Sequence, residues 1–165
     1  KKISPNVGRM ILANCWGNEL IIGTKSGDVC SFSVSSLDIV KKNLVESNQD
    51  KIICIEPLRT INKLAFGTSY GRIMLYNSQK TENTENKPFL STGIQSVGVR
   101  SIREVGGSLV VTTGAEGFGG VYCTQKDQVV EKFSHGVSPL CFAFRANDQK
   151  IYFFGIYGEM FQLNI

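Results

Sequence analysis

Asn18-Glu-Leu-Ile-Ile-Gly-Thr-Lys-Ser-Gly-Asp-Val-Cys-Ser-Phe32 and Asn62-Lys-Leu-Ala-Phe-Gly-Thr-Ser-Tyr-Gly-Arg-Ile-Met-Leu-Tyr76 share one pattern, 44 residues apart. Both read Leu-x-x-Gly-Thr-x-x-Gly-x-(Val/Ile)-x-x-aromatic. The opening apolar run is short and bounded by glycine, so it reads as a buried strand rather than a helix. Gly27 and Gly71 can supply the positive φ that a tight hairpin turn wants. The strand after the turn alternates, with Val29, Ser31 and Ser33 on one side and Cys30, Phe32 and Val34 on the other. A third copy runs from Ser108 to Tyr122 with extra glycines in its turn. A fourth runs from Lys150 to Leu163 with a turn one residue shorter. On this alignment Leu20, Leu64 and Leu109 are equivalent. With Ile22, Phe66 and Val111 they are the expected core between units.

Each hairpin has flanking strands. An apolar strand precedes it: Met10 to Ala13, Ile52 to Ile55, Val99 to Val105 and Leu140 to Phe144. A more polar strand follows three of them: Ile39 to Val45, Phe89-Leu90 and Val129 to Phe133. The result is an a-b-c-d meander whose edge strand is blunted by Lys41, Lys42, Glu131 and Lys132. No segment has a convincing 3.6-residue period, so the expected class is all-β. Ser78 to Lys87 is polar and low in complexity, and 78–88 is expected to be a flexible loop.

Composition agrees with a packed domain. The 165 residues are 42% hydrophobic, with 17 Gly and 4 Pro and no Gly-X-Y period, which excludes collagen-like and disordered classes. No apolar run approaches the roughly 20 residues of a membrane-spanning helix. The net charge of +4 is spread along the chain rather than gathered in a basic tail. Five cysteines, Cys15, Cys30, Cys54, Cys123 and Cys141, contain no C-x-x-C pair. They are expected to be free thiols in a reducing compartment, with no metal site.

Four-stranded meanders repeating at about 44 residues are the mark of β-propeller blades. Four are seen, approximately 8–46, 51–92, 97–133 and 137–165, in a single propeller module spanning 1–165. The spacing, the Gly-Thr-x-x-Gly turn and the closing aromatic resemble the WD-repeat family. The family's closing Trp position holds Phe32, Tyr76, Tyr122 and Leu163. Ser26, Tyr70 and Tyr157 stand where the family's turn Asp would be, with Glu116 nearby, and Thr24, Thr68 and Thr113 match its Ser/Thr. With the polar tetrad missing, apolar packing is expected to hold the blades. The blades are also similar to the atypical propellers of cytoskeletal and ciliary proteins, such as the echinoderm microtubule-associated-protein-like group. The fourth unit stops past its third strand. In closed rings of the family an N-terminal segment commonly supplies the missing strand, which Ile3 to Val7 would do here only if the ring has four blades or if the rest of it is missing. The expectation is that these blades form part of a larger ring rather than a complete four-bladed one.

His135 is the only imidazole, and no Gly-x-Ser-x-Gly elbow, P-loop or H-E-x-x-H occurs. The glycine-rich stretch Gly114 to Gly120 leads into a strand where a dinucleotide loop would lead into a helix. No enzymatic activity, catalytic residue or cofactor is expected. Cations are too scattered for strong phosphate binding. The favoured reading is a non-enzymatic scaffold for protein–protein interaction in an intracellular, cytoplasmic or cytoskeletal assembly, without membrane contact. The alternative is an RNA- or ribosome-associated propeller. The turns between second and third strands cluster on one face of a propeller. There Lys25, Tyr70, Phe118 and Tyr157 are the candidate interaction surface.

Overall fold

A computed structural model describes residues 10–24, 28–41, 51–77, 90–94, 97–106, 108–114, 117–134, 140–145, 150–155 and 157–164, with the side chains of 10–13, 41, 90–92 and 140–145 excepted. All regular structure there is strand. The first sheet is β1 (Met10–Trp16), β2 (Glu19–Thr24), β3 (Val29–Ser33) and β4 (Ile39–Lys41). The second is β5 (Ile52–Leu58), β6 (Lys63–Thr68), β7 (Arg72–Asn77) and β8 (Leu90–Gly93). The third is β9 (Val99–Glu104), β10 (Leu109–Gly114), β11 (Phe118–Cys123) and β12 (Gln128–Ser134). The fourth has three strands, β13 (Leu140–Arg145), β14 (Lys150–Gly155) and β15 (Met160–Asn164). Every sheet is an antiparallel meander in chain order. The sheets pack face to face in succession, and their first strands β1, β5, β9 and β13 are neighbours at the inner edge. This is propeller architecture. Among the described residues the sheets do not close into a ring, and no strand pairing joins the first to the fourth. Ile3 to Val7, His135 and the 78–88 loop lie outside the described residues.

The turn chemistry explains why the repeated motif folds as it does. The Thr24 amide bonds the Asp28 carbonyl at 2.9 Å, and the Asp28 amide returns to Thr24 Oγ1 at 3.2 Å. Thr68 Oγ1 accepts the Arg72 amide in the same way at 3.2 Å. Both threonines are buried, so the hydroxyl satisfies a turn donor that water does not reach. The glycine closing the turn takes positive φ, 77° at Gly71, 72° at Gly117 and 85° at Gly158, where a side chain would be strained.

Strand register corrects two points of the sequence alignment. Thr24, Thr68, Gly114 and Gly155 each close the second strand against Asp28, Arg72, Phe118 and Glu159. All four turns therefore have the same length. The extra glycines of the third unit lie in its strands, and the fourth turn is not short, because Gly155 stands in the threonine's place. The equivalent of Leu64 is then Val110 rather than Leu109. One residue of slip changes the face: Leu64 and Phe66 pack toward the first sheet, whereas Leu109 and Val111 pack toward the fourth.

The core is three apolar layers. Ile21, Val29 and Trp16 of the first sheet meet Leu64, Phe66, Met74 and Tyr76 of the second. Cys54, Ala65, Ile73 and Leu75 meet Val99, Ile102, Val110 and Tyr122 of the third. Leu109, Val111 and Val121 meet Ile151 and Phe153 of the fourth. The expected core residues are buried, except that Leu20 is only half-buried. Strand β3 is covered on both faces over Val29 to Phe32, and Val34 falls in the turn beyond it. On the face away from the second sheet, Ile22, Cys30 and Phe32 form a small buried cluster. The far face of the fourth sheet is more open, with Tyr152 and Phe154 half-buried and Met160 exposed. Cys15, Cys30, Cys54 and Cys123 are free thiols, and only Cys15 is exposed. Burial pushes the Cys54 thiol up to about 12.

Gly67 sets how closely the second and third sheets approach. A Cβ there would lie 2.5 Å from Cys54 Sγ and 2.6 Å from Val99 Cγ1. Gly93→Ala would meet nothing within 4 Å. Denaturant unfolding should show Gly67→Ala losing about 1–3 kcal/mol, as overpacked cores do. Gly93→Ala should stay within about 0.5 kcal/mol of the parent. Equal effects of the two substitutions would show that this interface is not tight.

Candidate functional site

The turns joining second to third strands present a shared position at their tips. Tyr70 and Tyr157 occupy it in the second and fourth sheets, two residues past Thr68 and Gly155 respectively. Tyr70 is 69% exposed and Tyr157 is 77% exposed, so neither ring packs against a neighbouring sheet. Each turn is fixed by its own backbone. The Gly71 amide bonds the Thr68 carbonyl at 3.3 Å, and the Gly158 amide bonds the Gly155 carbonyl at 3.1 Å. The Tyr157 amide also donates to Glu159 Oε2 at 3.2 Å. A short closed turn holds each ring outward without a long flexible stem.

Phe118 is not equivalent to these tyrosines. Register puts it at the start of β11, where Asp28, Arg72 and Glu159 stand in the other sheets, and it is half-buried. The extra glycines displaced it in the sequence alignment. Lys25 lies outside the described residues. The charges beside the two tyrosines differ in sign, with exposed Arg72 after Tyr70 and half-buried Glu159 after Tyr157. Among the described residues no three of His, Cys, Asp and Glu converge as a metal site would require. No helix among them is long and apolar enough to cross a membrane.

The opposite end carries polar features with no local signature in the sequence. Arg103 Nη1 of β9 bonds Glu56 Oε2 of β5 at 2.8 Å. The Thr60 amide donates to Glu104 Oε2 at 3.2 Å, and Asn14 Nδ2 donates to the Ile55 carbonyl at 3.2 Å. Polar links between inner strands thus supplement the apolar layers. Partial burial raises the Glu56 carboxyl above its ordinary value, against the pull of Arg103 and Arg59. Between the first-to-second-strand turns of the first two sheets lies a cleft of about 440 Å³, lined by Cys15, Trp16, Gly17, Arg59 and Asn62. Sequence reading passed over Trp16 and Arg59 because they are 43 positions apart and belong to no motif. In the third sheet the Tyr122 hydroxyl donates to Asp127 Oδ1, and burial together with that carboxylate raises its pKa.

No protein-family model matches the chain, and no curated protein matches it in sequence. Solved structures match its fold. The computationally designed Ika4 protein superposes with a TM-score of 0.76 at 12% identity, over 99% of this chain and 96% of that one. A chain of the Mitotic Checkpoint Complex gives a TM-score of 0.74 at 10% identity, over 94% of this chain and 49% of that one. U3-55K gives 0.74 at 10% identity, over 98% and 54%. This chain thus spans nearly all of one such structure and about half of the others. Likeness at these identities establishes the propeller fold and no more.

The Glu56–Arg103 pair generates a pH signature. Glu56 has a raised carboxyl in the folded protein. Its contribution to stability is therefore fully present below its unfolded pKa and lost as pH rises through the folded one. Arg103→Met removes the pull that opposes burial, so the folded pKa should climb further. Unfolding measured from pH 7 down to about 4 should show the variant weakened at pH 7, by about 1–3 kcal/mol. The deficit should shrink as Glu56 protonates. A deficit independent of pH would assign the loss to packing of the arginine stem.

Proposed function

We propose that this chain is a degenerate WD-type propeller acting as a non-enzymatic scaffold. Its turn face, carrying Tyr70 and Tyr157, docks protein partners in an intracellular assembly. The observation that carries the reading is the exposure of both tyrosines on equivalent turns, each closed by a backbone hydrogen bond. A large aromatic ring in water is a poor use of apolar surface, and tyrosine is enriched where interfaces concentrate their binding energy. Propeller chains within larger complexes, such as that of the Mitotic Checkpoint Complex, are consistent with such a role. A cytoskeletal or ciliary setting rests on the resemblance of the blades alone. An RNA-associated role is the contrasting reading, and it predicts a different salt response.

Photo-crosslinking groups placed at positions 70 and 157 test the docking face, with position 126 on the opposite turns as the reference. The expected result is one protein captured at both 70 and 157, absent at 126, and resistant to nuclease. Capture at 126 alone, or adducts that vanish with nuclease or modest salt, would overturn the proposal.

A further inference from the structure

We infer that the cleft between the first two sheets, at the end opposite the exposed tyrosines, is a second binding site, one that takes a carboxylate-bearing peptide segment.

The cleft joins residues from two turns. Cys15, Trp16 and Gly17 come from the β1–β2 turn region and Arg59 and Asn62 from the β5–β6 turn. Its volume of about 440 Å³ falls in the range of ligand sites. Both walls are anchored. The half-buried Trp16 packs against the apolar layer between the sheets. The Asn14 side chain ties β1 to the Ile55 carbonyl of β5 at 3.2 Å. The Asn62 amide donates to the Arg59 carbonyl at 3.4 Å, closing the second turn. Asn62 also holds a left-handed conformation, φ 53°, and Gly17 holds φ 56° with nothing within 4 Å of where a Cβ would stand. The positive φ, rather than any lack of space, favours glycine at position 17.

The lining sets the ligand chemistry. Arg59 is exposed. Glu56, a carboxylate close enough to interact with it, is already bonded to Arg103 at 2.8 Å. Its guanidinium is thus available for a second carboxylate, in the forked geometry arginine favours. The Trp16 indole offers a flat apolar wall for the adjoining side chain. The Asn62 carboxamide can both donate to and accept from a peptide backbone. The surroundings select a single negative charge over a polyanion. Glu56 and Glu104 offset Arg59 and Arg103 at this end, and Glu19 lies on the strand after Trp16. A phosphate backbone would have to pass those carboxylates, and its binding wants several adjacent cations. One carboxylate on a peptide can be met by Arg59, the one charged residue among those lining the cleft.

Two built-in reporters make the test direct. Trp16 is the only tryptophan in the chain, so its fluorescence reads the cleft alone. Cys15 is exposed at the same wall while Cys30, Cys54 and Cys123 are buried. The probe is a pool of acetylated pentapeptide amides with glutamate at the centre and any residue except Trp, Cys, Asp or Glu elsewhere. A pool with central glutamine is its control. The glutamate pool should change Trp16 fluorescence saturably and slow iodoacetamide labelling of Cys15. The glutamine pool should do neither. Arg59→Gln should weaken binding about tenfold or more with unchanged thermal unfolding, and Arg59→Lys should retain part of it. Tyr70→Ala with Tyr157→Ala should leave this binding intact, which separates it from the docking face. The inference is overturned if the glutamate pool gives no saturable change at millimolar concentration, if both pools act alike, if Arg59→Gln binds as the parent does, or if decauridylate binds more tightly than the peptides.

Discussion

Each middle sheet of this protein must bury both of its faces at once. Sheets stack roughly 10 Å apart, so side chains from two sheets share one gap and neither can shift without the other. Gly67 marks one tight point, where backbone stands in for side chain against Cys54 and Val99. The third sheet repeats the solution at Gly120, whose Cβ would lie 2.6 Å from Ile94 Cγ1. Packing of this kind leaves no place for an alternating apolar-in, polar-out strand in the interior of a middle sheet, whereas its outer strand β12 stays largely exposed. That is why β10 is buried at every position from Leu109 to Gly114.

The inner edge obeys a different constraint. First strands have a free side facing the axis, where backbone groups have no strand partner. Pro57 is tolerated in β5 because an edge strand can spare an N–H. The same edge hosts the links that cross between sheets, Asn14 to Ile55, Glu56 to Arg103 and Thr60 to Glu104. Two of these bonds join inner strands directly and the third joins the β5–β6 turn to β9, so together they tie the inner strands of the first three sheets to one another. The cleft beside Trp16 lies between the first-to-second-strand turns of two sheets tied in this way.

The two ends of the propeller therefore differ in chemical character. One carries exposed aromatic rings on turns pinned by their own short hydrogen bonds. The other carries a balanced set of charges around a recess with a single indole. In the proposed roles, binding at the first would draw on apolar burial, which salt weakens little, and binding at the second on a charge-assisted contact in a partly enclosed setting.

What the sequence settled by itself is local. Glycine at a positive-φ turn position, threonine as an internal cap and short β-branched runs are legible because turn chemistry acts within a few residues. They were enough to identify strands, the meander and the propeller class. Which neighbour each side chain faces was decided only by the tertiary structure. The third turn's glycines hid a one-residue slip, and in a strand one residue is a change of face. Leu109 and Val111 were rightly expected in the core, yet they pack toward the fourth sheet and not, as Leu64 and Phe66 do, toward the preceding one. Phe118 was misplaced at a turn tip for the same reason. The cleft lay further out of reach, because Trp16 and Arg59 become neighbours only when two sheets pack and their turns meet, a contact that leaves no periodic trace in the chain.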